Sequence, residues 1–118
     1  MAEQNQIIIE NHGGVTVFDI KGDVTSASEP FFNEAYRNLD MDEARTMLLK
    51  FDEGAYINSG GIAVLIQLLA ETNRNNQTIA ITGLSDHFRK IFGMVGITKF
   101  ATIYRSVDEA MKSFPGST

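Results

Sequence analysis

The chain contains no cysteine, so disulfides, thiolate metal sites and cysteine nucleophiles are excluded by composition, and thiol redox chemistry with them. Such a chain suits a reducing compartment. Concentrated positive charge is also missing. Ten basic residues stand against fifteen acidic ones, for a formal charge of -5, and no short window collects the cations that a phosphate backbone requires. Nucleic acid is therefore not an expected partner. The first residues, MAEQNQIIIE, lack the basic start and apolar core of a secretory leader, and no apolar run approaches the ~18 residues that span a bilayer. The expectation is a cytoplasmic protein with no direct membrane insertion.

What is present is an ordinary globular balance, 43% hydrophobic and 21% charged over 118 residues. That length suffices for one domain with one core and not for two, so a single domain over residues 1–118 is expected, ordered over 6–114. Ile7-Ile8-Ile9 and the alternating residues 15–20 flank a Gly13-Gly14 turn and read as a hairpin. Beyond Lys21-Gly22-Asp23, Ser26 or Ser28 is expected to cap a helix that fits Pro30 in its first turn and repeats apolar residues from Phe31 to Leu39. Thr46–Phe51 is almost wholly apolar, as in a central strand covered on both faces. Apolar residues circle most of the first two turns of a helix predicted over residues 60–73, so that helix begins buried. Thr78–Thr82 reads as a strand, and Ser85 as the cap of a helix over 86–92 that Gly93 stops. Residues 100–104 form a last strand and 107–114 a last helix, before a tail at 115–118 expected to fray. The order β-β-α-β-α-β-α-β-α implies an α/β fold in which helices pack on a mixed sheet.

The chemistry concentrates at FDEGAYINSGGIAVLIQLLAE, residues 51–71. Ser59 opens the buried helix, and its simplest role is the helix cap, contributing ~1 kcal/mol. Gly60 and Gly61 suggest more. Each costs roughly 1 kcal/mol of helix propensity in an interior, and neither carries a side chain to cover the hydroxyl. A kinase could reach it. A phosphate there would face the N-terminal amides and the positive end of the helix dipole. The same roughly two negative charges at the centre of a fitted protein contact would abolish binding.

A serine nucleophile at this strand-to-helix elbow is the rival reading. Ile57 stands where such an elbow needs glycine, and the available bases are His12, in the hairpin, and His87, without an evident acid partner. Asp19, Asp23, Asp52 and Glu53 match no metal-loop spacing and read as solvated acids at strand ends. No catalytic residue, metal or cofactor is expected. Met94-Val95-Gly96-Ile97 is an apolar loop that either closes the core or, beside the Ser59 turn, offers partner surface.

Three stretches in order resemble one family. They are Ile20-Lys21-Gly22-Asp23-Val24-Thr25; Leu49-Lys50-Phe51-Asp52 with Ile57-Asn58-Ser59-Gly60-Gly61-Ile62; and Leu84-Ser85 through Arg89-Lys90-Ile91-Phe92 to Met94-Val95-Gly96-Ile97. Together they are similar to the STAS domain of anti-sigma-factor antagonists, over nearly the whole chain. The resemblance implies a STAS-type mixed four- or five-stranded sheet flanked by about four helices. It also implies a non-enzymatic antagonist that binds an anti-sigma serine kinase, is released when the serine at a helix start is phosphorylated, and is reset by a serine phosphatase. Ser59 stands at the phosphoacceptor position. Asp23, Thr25, Asn58, Gly60, Gly61, Ile62 and Met94 stand in the partner surface, and a large residue at Gly61 is expected to block the partner at little cost in stability. The family usually carries Asp where this chain has Asn58 and Thr25, so negative charge near the hydroxyl is reduced. Other members of the family are scaffolds in stress-signalling assemblies or soluble partners of transport systems.

Overall fold

Gly13 and Gly14 take φ of 59° and 88°, the pair of left-handed conformations that a two-residue type I′ turn needs. In the computed structural model, which describes residues 5–114, this turn folds β1 (Gln6–His12) antiparallel onto β2 (Val15–Lys21). The remaining pairings are parallel: β3 (Thr46–Phe51) beside β2, β4 (Thr78–Thr82) beside β3, and β5 (Thr102–Ile103) beside β4. The sheet is thus mixed and runs β1-β2-β3-β4-β5. Its crossovers carry α1 (Glu29–Arg37), α2 (Ser59–Arg74) and α3 (Asp86–Met94), and α4 (Val107–Ser113) follows β5. The predicted element order is borne out, with five strands and four α-helices among the described residues. The tail at 115–118, expected to fray, lies outside the described residues.

Side chains alternate across a strand, and this sorts the core into two layers. Phe18, Ile20, Met47, Leu49, Phe51, Ile79 and Ile81 face one side, where they pack with Phe32 of α1, Leu65 and Leu69 of α2, and Phe88 and Phe92 of α3. Val15, Val17, Leu48 and Ala80 face the other, against Ala110 of α4 and the adjoining Phe114. β3 is therefore covered on both faces, as its apolar run required. Among the described residues, no helix is long and apolar enough to cross a membrane.

Three local expectations are corrected. Neither Ser26 nor Ser28 caps α1 with its side chain. Residues Ser26–Ser28 form a separate 3₁₀ turn capped by Thr25, whose Oγ1 accepts the Ala27 N–H at 3.1 Å. The Ser28 hydroxyl accepts the Thr25 N–H at 3.0 Å, so it is turned away from α1. Gly93 does not stop α3, which runs through it to Met94; the chain leaves the helix at Gly96, with φ of 86°, the left-handed residue that commonly follows a helix C-cap. β5 is two residues long because Phe100 and Ala101 direct their N–H groups to Ile97 O around a 3₁₀ turn and so leave the strand pattern.

A buried polar chain joins α1 to the α2–β4 connection. The Tyr36 hydroxyl donates to Gln77 Oε1 and accepts from Asn75 Nδ2 at 2.8 Å, while Gln77 Nε2 donates to Ala44 O. Burial holds the Tyr36 phenol above the ordinary tyrosine range, against the opposing effect of the Asn75 hydrogen bond. The folded chain thus keeps this proton more tightly than the unfolded chain. Its contribution to stability is complete below the free tyrosine value of about 10 and is lost as pH rises through the folded value. Tyr36→Phe is expected to cost about 1–3 kcal/mol at neutral pH by stranding Gln77, and to remove part of the alkaline loss. Urea unfolding of parent and variant at neutral and alkaline pH measures both effects.

Candidate functional site

The site is built where the loop after β2 meets the loop before α2. Gly22, with φ of 89°, turns the chain out of β2 and donates its N–H to Asp52 Oδ2 at 3.1 Å. Lys21 Nζ lies 3.4 Å from Asp19 and 3.6 Å from Asp52. The hydrogen bond to Asp19, followed by the charges of Asp19 and Asp52, holds its ammonium above the ordinary lysine range. These acids, read from sequence as merely solvated, are engaged in fixing the loop. Among the described residues, no group of three or more acids and histidines could hold a metal ion.

The two loops then join. Val24 and Ile57, both buried, form a parallel bridge. The Val24 N–H donates to Tyr56 O at 2.9 Å, and the Asn58 N–H donates to Val24 O at 3.2 Å. Asp23 Oδ1 accepts the Tyr56 N–H at 2.9 Å. With its approach fixed in this way, the chain enters α2 through Asn58, which is extended, with φ -88° and ψ -179°. Asn58 Oδ1 accepts the Gly61 N–H and Asn58 O accepts the Ile62 N–H, each at 2.9 Å. Asn58 is therefore the cap, and the expectation that Ser59 serves as the cap is corrected. An amide oxygen one residue earlier already occupies the geometry that a serine cap would use. Ser59 is the first helical residue and exposed. Among the described residues, no hydrogen bond engages its hydroxyl, its N–H or the Gly60 N–H.

The two glycines differ in what they allow. A Cβ on Gly60 would meet Ser26 Cβ at 3.0 Å and Ser26 N at 3.1 Å, a tight contact that the Ser26 turn must give by a few tenths of an ångström to relieve. A Cβ on buried Gly61 would stand 2.1 Å from Val24 O, which is backbone held in the bridge. The expectation that Gly61 tolerates a large residue is corrected accordingly: its missing side chain is what lets α2 start against the β2 loop.

Asp23, Thr25, Asn58, Ser59, Gly60 and Gly61 are thus brought together on the two bridged loops, and Ile62 turns half-buried toward the core. Met94 is not tied to them. It is 84% exposed at the far end of α3, about 9 Å along the axis from Phe88 at 1.5 Å per residue. Phe88 is the residue through which α3 reaches this region, with its ring 5.9 Å from that of Tyr56 in an edge-on contact. Tyr56, 60% exposed, belongs to the site and was not singled out from sequence, and Ser26, expected only as a helix cap, lies against Gly60. An aromatic residue between Gly54-Ala55 and buried Ile57 was the available signal. Neither histidine completes a hydrolytic triad. His12 pairs with Val15 at the start of β2, at the opposite end of the sheet from Ser59, and His87 meets the Phe88 ring without a carboxylate partner among the described residues.

A model of the STAS domain matches residues 6–110. No curated protein sequence matches the chain. Solved structures do. An anti-sigma factor antagonist from Mycobacterium paratuberculosis superposes with a TM-score of 0.75 at 16% identity, covering 92% of each chain. A Thermotoga maritima protein gives 0.75 at 12% identity, over 90% of this chain and 92% of that one. The Bacillus cell fate determinant SpoIIAA in its phosphorylated form gives 0.62 at 13%, over 91% and 97%. At such identities the likeness is one of fold.

The loop geometry ranks three substitutions by chemical denaturation. Gly61→Ala is expected to lose about 3 kcal/mol or more because backbone must move. Asn58→Ala should lose about 1 kcal/mol with the cap, and Ser59→Ala no more than about 0.5 kcal/mol. A Ser59→Ala loss as large as that of Asn58→Ala would contradict the assignment of the cap.

Proposed function

The chain belongs to the STAS domain family, and on that premise we propose that it is an anti-sigma-factor antagonist whose switch is phosphorylation of Ser59. The unphosphorylated chain holds an anti-sigma serine kinase through the surface around Asp23, Thr25, Asn58 and Gly60, with Met94 at its margin. Gly61 and Ile62 support that surface from beneath. A phosphate on Ser59 ejects the kinase, and a serine phosphatase restores the binding form. The chain itself catalyses no reaction, and its place is the cytoplasm.

The observation that carries this reading is an exposed, unengaged hydroxyl beside two free amides at the start of a buried helix. Because Asn58 does the capping, the hydroxyl is free to be modified without unmaking the helix. The phosphate oxygens would accept the Ser59 and Gly60 N–H groups at the positive end of α2, so the fold carries the charge. A partner fitted against the same spot must desolvate that charge or oppose it, and binding is lost.

Incubation with the kinase and ATP should place one phosphate on the chain, mapped to Ser59 and absent in Ser59→Ala. Phosphate on another residue overturns the assignment. Asn58→Asp adds charge while keeping a cap, since Asp and Asn cap about equally well; the substitution therefore reads charge alone. If the kinase recognises acids at this surface, the initial rate rises, and rises further with Thr25→Asp. The opposing effect is repulsion of the phosphate, ~5 kcal/mol at about 6 Å and an effective dielectric near 20 before screening. We expect recognition to prevail over this screened repulsion, and a rate no higher than the parent's at low or high salt contradicts that. The neutral caps Asn58 and Thr25, where the family carries acids, favour one second reading: a scaffold or soluble transport subunit that is never phosphorylated. It is distinguished by the absence of phosphorylation in parent and Asn58→Asp alike.

A further inference from the structure

The two edges of the sheet differ. The β5 edge is two residues long, whereas β1 offers seven, QIIIENH, with no proline and no lysine to guard it. Ile8 is 38% and Ile9 43% exposed. The hairpin fixes which backbone groups of β1 face outward. A two-residue type I′ turn closes on a hydrogen-bonded pair, here His12 and Val15, and pairs alternate from there. Glu10, Ile8 and Gln6 therefore bond to β2, while Asn11, Ile9 and Ile7 direct N–H and C=O away from the sheet. Among the described residues, no strand lies beyond them. The side chains of the same three residues lie on the α1 face, where Ile7 and Ile9 border a groove of about 210 Å³ with Phe31, Glu34, Ala35 and Asn38.

We propose that β1 pairs antiparallel with β1 of a second copy of this chain, about a two-fold axis at Ile8, joining two sheets into one of ten strands. This register makes Ile7 and Ile9 of opposite copies a hydrogen-bonded pair and brings Asn5 opposite Asn11. It sets Ile8 against its own equivalent on the other face and Gln6 against Glu10, so no like charges meet. Moving the axis one residue, to Ile9, would set Ile8 against Glu10 and Ile7 against Asn11, apolar on polar. The strand is thus self-complementary in one register, as an isologous contact requires. The side chain of Asn5, which donates to the Lys21 and Asp23 carbonyls at 3.0 and 2.9 Å, holds the start of β1 in line for it.

Sedimentation equilibrium of the full chain tests this. The parent is expected to dimerise. Ile8→Lys and Ile8→Glu, each at a surface position that leaves the monomer folded by circular dichroism, should each weaken self-association by about tenfold or more, since like charges meet at the axis. Mixing the two variants should restore it. Hydrogen exchange supplies an independent reading: the Ile7 and Ile9 amides should slow as concentration rises, and the Ile8 amide, already bonded to β2, should not. A parent that stays monomeric at every soluble concentration overturns the proposal. So does a dimer in which the Ile7 and Ile9 amides exchange as in the monomer.

Discussion

The Val24 carbonyl is the point on which the rest of the site depends. It accepts the Asn58 N–H at 3.2 Å and lies where a side chain on Gly61 would begin, 2.1 Å from that Cβ. One backbone oxygen therefore both ties the loop after β2 to the loop before α2 and dictates glycine in the first turn of α2. The helix starts where the bridge sets it, and its most apolar stretch, from Val64 to Leu69, then meets the sheet residues of the main core. Glycine in a helix is ordinarily a loss. Here it permits the close approach that fixes the direction of the whole element.

From that constraint follows a division of labour among neighbouring polar side chains. Asp23 is bonded to Tyr56, Asn58 to Gly61, Thr25 to Ala27, and Asp52 to Gly22. Each holds backbone, and each is close to Ser59 in the chain or across the bridge. The Ser59 hydroxyl alone in α2's first turn is left without a structural task, which is the condition under which a modification can change recognition without changing shape. The nearest acids are not idle charges awaiting a cation, since their oxygens already accept N–H groups and Lys21 lies between Asp19 and Asp52.

Much of this was legible in the chain, and the misses share a cause. β3 and β4 fall at Thr46–Phe51 and Thr78–Thr82 as read, because burial on both faces leaves the consecutive apolar residues Met47-Leu48-Leu49 and Ile79-Ala80-Ile81, each preceded by Thr. Ser85 caps α3 as expected, accepting the Phe88 N–H at 3.2 Å, since no competing acceptor precedes it. At α2 two good caps stand side by side, Asn58 and Ser59, and helical periodicity cannot resolve a shift of one residue. The Val24–Ile57 bridge decides between them, and it joins residues far apart in sequence. For the same reason Gly61 read as a gap in the surface when it is a contact in the interior. Ser28 likewise spends its hydroxyl backward on Thr25, a choice set by a 3₁₀ turn with no periodic signature. Met94 belonged to a matching stretch of sequence, but the fold places it at the far end of α3 from the ring contact with Tyr56.

If Ser59 is separated from the forces that hold the fold, its phosphorylation should alter binding and leave stability alone. The direct measurement compares the Ser59-phosphorylated chain with the unphosphorylated chain, by unfolding free energy and by affinity for the kinase on the same samples. Equal stability, or a gain of up to about 1 kcal/mol from the dipole of α2, together with loss of kinase binding, is the expected result. A phosphorylated chain that unfolds more readily than its parent, or that still binds the kinase equally well, would contradict it.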